Sequence, residues 1–346
     1  MNKKEHDVTV LMPAYNAGAY IAAAMESILT QSHTRFELLI IDDGSTDHTP
    51  DVIRGFTDSR IRLIRHETNQ GLTDTLNEGI AACSTELIAR MDTDDISHPW
   101  RLEKQVAYML SHPACAMVDS WVKVMDQNKK YLRTEGVHSG HAYYTLTFEC
   151  PVYHSAVMFR KSCLQAIGGY KLPYAEDFDL FWRLSLVYPI HTLEEPLLWY
   201  RVHDRNLHTA ARKTEYDAYT RRVLERNFRY YLGKDAWVPE AWSACYRYDF
   251  DALLQSRDLR EIRQCLALLD KLSARILVTE NPNRDAAAIR FISHYKKNYI
   301  LKELGTRLPL RQMARMLLYY RQPALAATLF LKRIKGMVSG RSYFAH

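Results

Sequence analysis

The residues best suited to chemistry lie in one acidic turn with three carboxylates in four positions: Asp92, Asp94 and Asp95. The turn follows an aliphatic run at 86–90 that is typical of a buried strand, and a helix is predicted to start at 97–99. Carboxylates this close repel one another and resist desolvation, so the cluster predicts a bound cation. Oxygen ligands suit Mg²⁺ or Mn²⁺. The alternative is a solvated acidic loop that caps the next helix.

A second acidic pair, Glu176 and Asp177, opens a pattern that predicts a helix to about residue 187. Acids are common in a first helical turn because they complement the positive end of the helix dipole. Capping and chemistry therefore both account for this pair, and the residues alone leave the two interpretations open.

Strands and helices alternate through the first hundred residues. The predicted strands are 8–12, 37–41, 61–64 and 86–90, and the predicted helices are 20–31 and 76–82. This alternation implies right-handed crossovers and a largely parallel sheet with both faces covered.

Four polar side chains each follow a different one of these strands: Tyr15, Asp43, Asn69 and Asp92. Such sheets bind ligands beyond the carboxyl ends of their strands, so we expect the four to line one crevice. The chain contains no G-x-G-x-x-G and no G-x-x-x-x-G-K-[ST] segment, which disfavours a dinucleotide dehydrogenase or a P-loop nucleotidase. Phosphates would then have to be held by a metal.

The composition, with 47% hydrophobic and 25% charged residues, is typical of a folded protein. Its 346 residues suit one large domain with an appendage, or two domains. The net charge of +6 is uneven, because eight of the 46 basic residues and none of the 40 acidic residues lie from Thr306 onward. Residues 1–305 therefore hold 38 basic and 40 acidic side chains, and the basic character belongs to the C-terminal tail.

From about residue 206 the pattern becomes helical, with a break at 281–283. The tail, about residues 306–346, combines its basic residues with apolar residues at helical spacings and is interrupted at Pro323. A helix of this type either packs on its own domain or lies on an anionic membrane surface, and the charge asymmetry favours the membrane.

Six cysteines are scattered without C-x-x-C spacing, so neither a zinc site nor a disulfide framework is predicted. The first residues lead into an apolar run too short for a signal peptide. No stretch approaches the ~18–20 apolar residues of a membrane span. We therefore expect a cytoplasmic protein.

Eight stretches, taken in order, resemble the family 2 glycosyltransferases, inverting sugar-nucleotide enzymes of the GT-A fold that build bacterial surface polysaccharides. They are residues 10–16, 41–47, 69–71, 90–95, 99–103, 154–160, 168–170 and 176–183. Each stretch is weak alone, but the ordered set is specific. The resemblance implies an α/β, Rossmann-like GT-A domain at 1–205, with a mostly parallel sheet flanked by helices, followed by an α-helical region at 206–346.

The resemblance also implies a nucleotide-sugar site at the ends of the first strands. Pro13, Ala14 and Tyr15 would line the nucleoside pocket, Asp43 would accept a hydrogen bond from the base, and Asn69 would assist there. Without the resemblance, a strand-ending proline, a core aromatic residue and a turn with a helix cap account equally well for Pro13, Tyr15 and Asp43.

In the acidic turn, the resemblance implies that Asp94 is the direct ligand of a cation that bridges both phosphates of the donor. Asp92 would contact the ribose and the metal shell. His203 falls where many relatives carry a histidine near the phosphates, and it either completes the metal shell or is a solvated loop residue.

The resemblance assigns the chemical step to Asp177, as the general base on the acceptor side. Displacement at an anomeric carbon needs a carboxylate there and a metal on the leaving-group side, and the two acidic clusters supply both. Glu176 would bind acceptor hydroxyls or only cap its helix. His154 would lie at the acceptor or be a buried core residue.

These expectations describe a metal-dependent enzyme that moves a sugar from a nucleoside diphosphate donor, UDP-linked, to a hydroxyl of a growing surface glycan. A lipid-linked oligosaccharide at the inner face of the plasma membrane is the expected acceptor, because it explains a basic amphipathic tail on a peripheral protein. No nucleic-acid partner is expected.

Two alternatives remain. A sugar-1-phosphate nucleotidyltransferase would need a glycine-rich loop after the first strand, and residues 13–16 do not form one. A non-catalytic nucleotide-sugar-binding scaffold would have no need of two costly carboxylate sites, whereas this chain keeps both Asp94 and Asp177.

Overall fold

The computed structural model describes residues 6–203, 213–256 and 258–338. The chain divides into two compact units, Met1–Val223 with Glu280–Arg284 and Leu224–Thr279 with Asp285–His346. The boundary expected after residue 205 lies outside the described residues, and so do residues 339–346 of the tail. The two-domain division at 205 therefore stays a prediction.

The first unit begins with four parallel strands and three helices that alternate with them. These are β1 (Val8–Ala14), α1 (Ile21–Leu29), β2 (Phe36–Asp42), α2 (Thr49–Arg54), β3 (Ile61–Arg65), α3 (Leu72–Ala82) and β4 (Leu87–Arg90). The strand order is β3-β2-β1-β4, and every pair is parallel, as predicted. All of β1 is buried because helices cover both faces, which is why its sequence is apolar without alternation.

The sheet then continues through antiparallel pairs. The elements that follow are β5 (Ile96–Ser97), α4 (Arg101–Ser111), β6 (Met117–Asp126), β7 (Tyr131–Glu135), α5 (Ser139–Thr145), β8 (Met158–Arg160), α6 (Lys161–Ala166), α7 (Glu176–Ser185) and β9 (Ile190–Val202). Strand β8 lies antiparallel between β4 and β6, while β9 runs parallel to β6. The sheet is therefore parallel in its first half and mixed across its full width.

Helix α4 starts later than the expected 97–99, because Ser97 pairs with Leu198 in the two-residue strand β5. Its first turn is capped from another element. The Gln31 side chain accepts a hydrogen bond from the amide of Leu102 at 3.0 Å and donates one to the carbonyl of His98 at 2.7 Å. Residues far apart in the chain thus set where this helix begins.

The second unit is helical. It contains the end of α8 (Lys213–Leu232), then α9 (Glu240–Tyr246), α10 (Asp251–Gln255), α11 (Leu259–Val278), α12 (Ala286–Arg307), α13 (Leu310–Tyr319) and α14 (Pro323–Val338). The predicted break at 281–283 separates α11 from α12. Helix α11 buries Ile262, Leu266, Leu269 and Ile276 at helical spacing, and burial of each contributes about 1.5–3 kcal/mol. Among the described residues, no helix is long and apolar enough to cross a membrane.

Candidate active site

The acidic turn follows strand β4 directly and gathers its three carboxylates. Ligand oxygens of Asp92, Asp94 and Asp95 all lie within 4.8 Å of one another. Asp95 is buried, whereas Asp92 and Asp94 are half-buried. Burial first, and then the charges of Asp94 and Asp92, raises the pKa of Asp95 well above its usual range. The three carboxylates therefore need positively charged partners from outside the turn.

Three buried arginines surround this turn, and they rank among the largest fully buried side chains of the described chain: Arg90, Arg101 and Arg201. Arg90 forms an ion pair with the carboxylate of Asp92. Arg101 donates to the carbonyl of Arg90 at 2.7 Å, and burial lowers its pKa to about 9 although Asp95 opposes the shift. The role of these arginines was not predicted from the sequence. The signal for it was that Arg90 and Arg101 lie within the motif stretches 90–95 and 99–103.

Arg201 ties the end of β9 to the same turn. Its amide donates to Oδ1 of Asp95 at 2.8 Å, and its Nε donates to the carbonyl of Asp94 at 2.7 Å. Its guanidinium lies over the ring of Tyr20 at 5.0 Å. Buried charges are tolerated only when paired and hydrogen-bonded, so the arginines fix the turn in one geometry.

His203 reaches the acidic turn across the sheet. Its Nε2 lies 3.0 Å from Oδ2 of Asp94, and its ring stacks on Tyr20 at a centroid distance of 5.0 Å. The structure thus brings together Asp94 and His203, two of the three residues expected at the metal. Asp92 differs, because Arg90 and the hydroxyl of Ser155, at 2.7 Å, already occupy its carboxylate.

The donor set of the turn fits a hard divalent cation. It offers carboxylate oxygens with one imidazole nitrogen, which are ligands that Mg²⁺ and Mn²⁺ accept. Oδ2 of Asp95 is buried and, among the described residues, accepts no hydrogen bond within the normal distance. A buried carboxylate oxygen without a partner is costly, and a cation would satisfy it. Asp94 with His203 is the pair best placed to hold such an ion.

The loops after β1, β2 and β3 meet at the same edge of the sheet. Tyr15 is exposed over half of its surface, whereas Pro13 and Ala14 are buried in β1. Oδ1 of Asn16 accepts a hydrogen bond from the amide of Thr46 at 2.9 Å and so joins the first two loops. Of the three residues expected to line the nucleoside pocket, only Tyr15 therefore presents an exposed side chain to a ligand.

Asp43 is almost fully buried and holds the loop after β3. Its carboxylate accepts hydrogen bonds from the amides of Gln70 at 2.7 Å and Gly71 at 2.9 Å, and it contacts Nδ1 of His66 at 2.7 Å. Burial would raise the pKa of Asp43, but these contacts more than offset it and lower the pKa. Asn69 donates to the carbonyl of Asp43 at 3.4 Å. The side chain expected to meet a base thus already anchors a loop.

A short 3₁₀ turn, His154–Ala156, connects the acidic turn to helix α7. Ser155 donates to the carboxylate of Asp92 at 2.7 Å and accepts from the amide of Asp92 at 2.9 Å. The neighbouring His154 lies with Nε2 2.7 Å from the hydroxyl of Tyr170 and Nδ1 3.8 Å from Oε1 of Glu176. Burial first, and then Arg90, lowers the pKa of His154 well below its usual value.

Glu176 and Asp177 begin α7 in different environments. Ala175, the preceding residue, is left-handed with φ 53°, which turns the chain sharply into the helix. Glu176 is buried, and burial first and Asp177 second raise its pKa to about 8. Asp177 is half-buried, with Oδ2 4.0 Å from the sulfur of Cys150. His154 contacts Glu176, and its neighbour Ser155 contacts Asp92, so the 3₁₀ turn touches both acidic sites.

The chain is similar in sequence to known glycosyltransferases. The model of "Glycosyl transferase family 2" matches residues 9–168. The O-antigen biosynthesis glycosyltransferase WbnJ of Escherichia coli is 31% identical over 213 residues, which cover 59% of this chain and 83% of WbnJ. The putative glycosyltransferase EpsE of Bacillus subtilis is 33% identical over 189 residues, 51% of this chain and 66% of EpsE.

The chain is also similar to a relative whose name specifies its substrates and to a solved structure. The E. coli enzyme WfgD, named UDP-Glc:alpha-D-GlcNAc-diphosphoundecaprenol beta-1,3-glucosyltransferase, is 28% identical over 183 residues, which cover 52% of this chain and 69% of WfgD. The Staphylococcus aureus TarS 1–349 structure with UDP-GlcNAc matches with a TM-score of 0.54 and 16% identity, over 97% of this chain and 93% of that one. At that identity the likeness shows a shared fold.

Proposed function

Because the chain belongs to glycosyltransferase family 2, we propose that it transfers a sugar from a UDP-sugar to a hydroxyl of a growing, lipid-linked surface glycan, with inversion. The chain is a glycosyltransferase related to enzymes of polysaccharide biosynthesis, so the class predicted from the ordered motifs is confirmed. The GT-A fold expected from them is confirmed by the likeness to TarS. The donor, acceptor, metal and site residues are our proposals.

The observation that carries the proposal is the juxtaposition of two acidic sites around Arg90. One site is the turn with Asp94 beside His203. The other is the helix start at Glu176 and Asp177, where Glu176 contacts His154, and the next residue, Ser155, accepts a hydrogen bond from Arg90 at 3.4 Å. A reacting sugar between them would have its leaving group on one side and a carboxylate on the other, as direct displacement requires.

On the donor side, Asp94 and His203 would hold Mg²⁺ or Mn²⁺, and Asp92 would stay on Arg90 as a positioning residue near the ribose. When bound, the cation neutralises the charge that develops on the departing diphosphate. The exposed ring of Tyr15 would cover the nucleoside. Asp43 and Asn69 would keep the loop after β3 in place beside it, an indirect contribution to base binding.

On the acceptor side, Asp177 is the proposed general base. The acceptor oxygen bonds to the anomeric carbon while the bond from that carbon to the diphosphate oxygen breaks, and the hydroxyl proton passes to Asp177. Burial and Asp177 raise the pKa of Glu176 to about 8, so Glu176 would keep its proton near neutral pH and would donate a hydrogen bond to the acceptor, with His154 and Tyr170 behind it. One carboxyl group is thus neutral, and its neighbour is left to accept the proton.

The choice of UDP and of a lipid-linked acceptor is supported by WfgD, whose name specifies UDP-Glc and a diphosphoundecaprenol-linked sugar. An enzyme that meets its acceptor at a bilayer benefits from attachment there, so we also propose peripheral membrane association through the C-terminal region. The basic tail without acidic residues supports this attachment.

A donor panel tests the function. Purified protein is incubated with UDP-, GDP- and dTDP-sugars, and nucleotide release is measured with and without excess chelator. We expect release from a UDP-sugar that chelator abolishes, and loss of metal-dependent UDP binding in Asp94→Ala. Asp51→Ala, a change of an exposed acid on α2, is the matched control and should behave as the native protein. UDP binding without turnover of any donor would favour the scaffold, and full activity in chelator would refute the metal.

A further inference from the structure

The inner face of α13 belongs to the core of the helical unit. Met313, Met316 and Leu317 are buried, and so is Leu329 on α14. The helices approach closely at Gly305 of α12, where an added Cβ would lie 2.8 Å from Cδ1 of Leu329. These four apolar residues of the tail are therefore used in packing and are not available to lipid.

A different set of apolar side chains faces outward on the same two helices. They are exposed by 42% to 66% of their surface: Leu310, Leu318, Tyr319, Phe330 and Leu331. Single exposed apolar residues are ordinary, but five within 22 positions of one helical pair are a high local density, although the guanidinium of Arg263 lies over the ring of Tyr319 at 4.1 Å.

Basic residues accompany this apolar set. Arg311 and Arg315 precede Leu318 by seven and three positions, so the three share one stripe of α13. Arg321 and Lys332 are also exposed. No acidic residue occurs between Thr306 and residue 338, and in the described part of the chain neither Arg311 nor Arg315 forms an ion pair.

We propose that the outward face of α13 and α14, defined by Leu310, Leu318, Tyr319, Phe330 and Leu331 with Arg311, Arg315, Arg321 and Lys332, binds anionic lipid bilayers. The apolar side chains enter the boundary between headgroups and acyl chains, and the basic side chains meet the lipid phosphates. This inference rests on the proposed function only for its purpose, which is to bring the enzyme to a lipid-linked acceptor.

Charge and shape favour this partner over two others. A second copy of the chain would bring like charges together, with no acid between 306 and 338 to pair them. A nucleic acid would meet the arginines but would leave Leu318 and Leu331 without an apolar partner. An anionic bilayer satisfies both sets of side chains at once.

The test is flotation of the full chain with vesicles of phosphatidylglycerol and phosphatidylcholine, or of phosphatidylcholine alone. The double variant Arg311→Glu with Arg315→Glu should lose about 25-fold or more in partition onto anionic vesicles, because each basic side chain contributes about 1 kcal/mol there. The matched control is Lys271→Glu with Arg275→Glu, an exposed basic pair at the same spacing on α11, and it should lose far less.

A second double variant, Leu318→Gln with Leu331→Gln, should weaken vesicle binding at least tenfold without a change of charge. Equal losses in the two charge-reversal variants, or equal binding of the native chain to both vesicle types, would overturn the proposal. The proposal would also be overturned if Arg311→Glu with Arg315→Glu abolished self-association of the chain, or binding to a nucleic-acid duplex, while vesicle binding persisted. Donor hydrolysis in solution should be unchanged throughout, so a failure of vesicle binding would leave the proposed sugar-transfer activity standing.

Discussion

Replacing Asp177 by Asn, and Glu176 by Gln, should separate the base from its neighbour. A positioned base is worth ~10²–10⁴-fold in rate, or about 3–5 kcal/mol of barrier, so Asp177→Asn should lose that much turnover. Glu176, whose pKa burial raises to about 8, is mostly protonated at pH 7. Gln resembles that neutral form, so Glu176→Gln should lose less than about tenfold.

The assay is single-turnover transfer at saturating donor, with donor affinity measured separately by calorimetry. Donor affinity should change little in either variant, because Asp94 and Asp43 are untouched. Asp179→Asn is the control in the same helical turn, where Asp179 forms an ion pair with Arg183 at 2.7 Å. It should lower the free energy of unfolding while leaving the chemical step of the folded fraction intact.

The reasoning would be refuted by the reverse pattern. If Asp177→Asn kept near-native transfer and Glu176→Gln were inactive, the base would be Glu176. Its raised pKa would then describe a base poised near neutral pH instead of a hydrogen-bond donor.

Two further predictions concern stability and the donor loops. The contribution of Glu176 to the free energy of unfolding of the metal-free protein should fall as pH rises from about 4.5 to about 8, because unfolded Glu176 ionises near 4.5 while the folded form keeps its proton to about 8. Urea denaturation at pH 5 and pH 8 should show a smaller fall in Glu176→Gln, and an identical fall in both proteins would contradict the assignment. Asp43→Ala removes the acceptor for Gln70, Gly71 and His66, so it should cost about 2–4 kcal/mol of stability and weaken UDP binding more than tenfold. Native-like UDP affinity in Asp43→Ala by calorimetry, with Asp51→Ala as control, would show that the loop needs no such anchor.

Local patterns were sufficient for the parallel half of the sheet. The strand predicted at 37–41 corresponds to β2, because a strand covered on both faces must be apolar over consecutive residues. The strand predicted at 61–64 corresponds to β3, an edge strand whose Leu63 and Arg65 are exposed. The acidic turn was likewise visible, since charges at the end of a buried strand stand out against it. The ordered motifs then identified the family, which the comparisons confirm.

In the C-terminal tail, periodicity predicted the apolar face of a helix but not what that face packs against. Its spacing predicted a helix with an apolar face and allowed that face either a core or a membrane. The structure places Met313, Met316 and Leu317 in the core and leaves Leu318 and Leu331 exposed. Periodicity defines which residues share a face, but the partner of that face depends on how α12, α13 and α14 pack.

The partners of the buried charges were decided by tertiary structure alone. Asp94 meets His203 across 109 residues of chain, and Asp95 meets Arg201 across 106. Asp43, expected to face a base, also anchors the loop after β3. The physical reason is that a strand or helix follows from its own neighbours in sequence, whereas a buried carboxylate is stabilised by whichever donor the folded chain brings within about 3 Å.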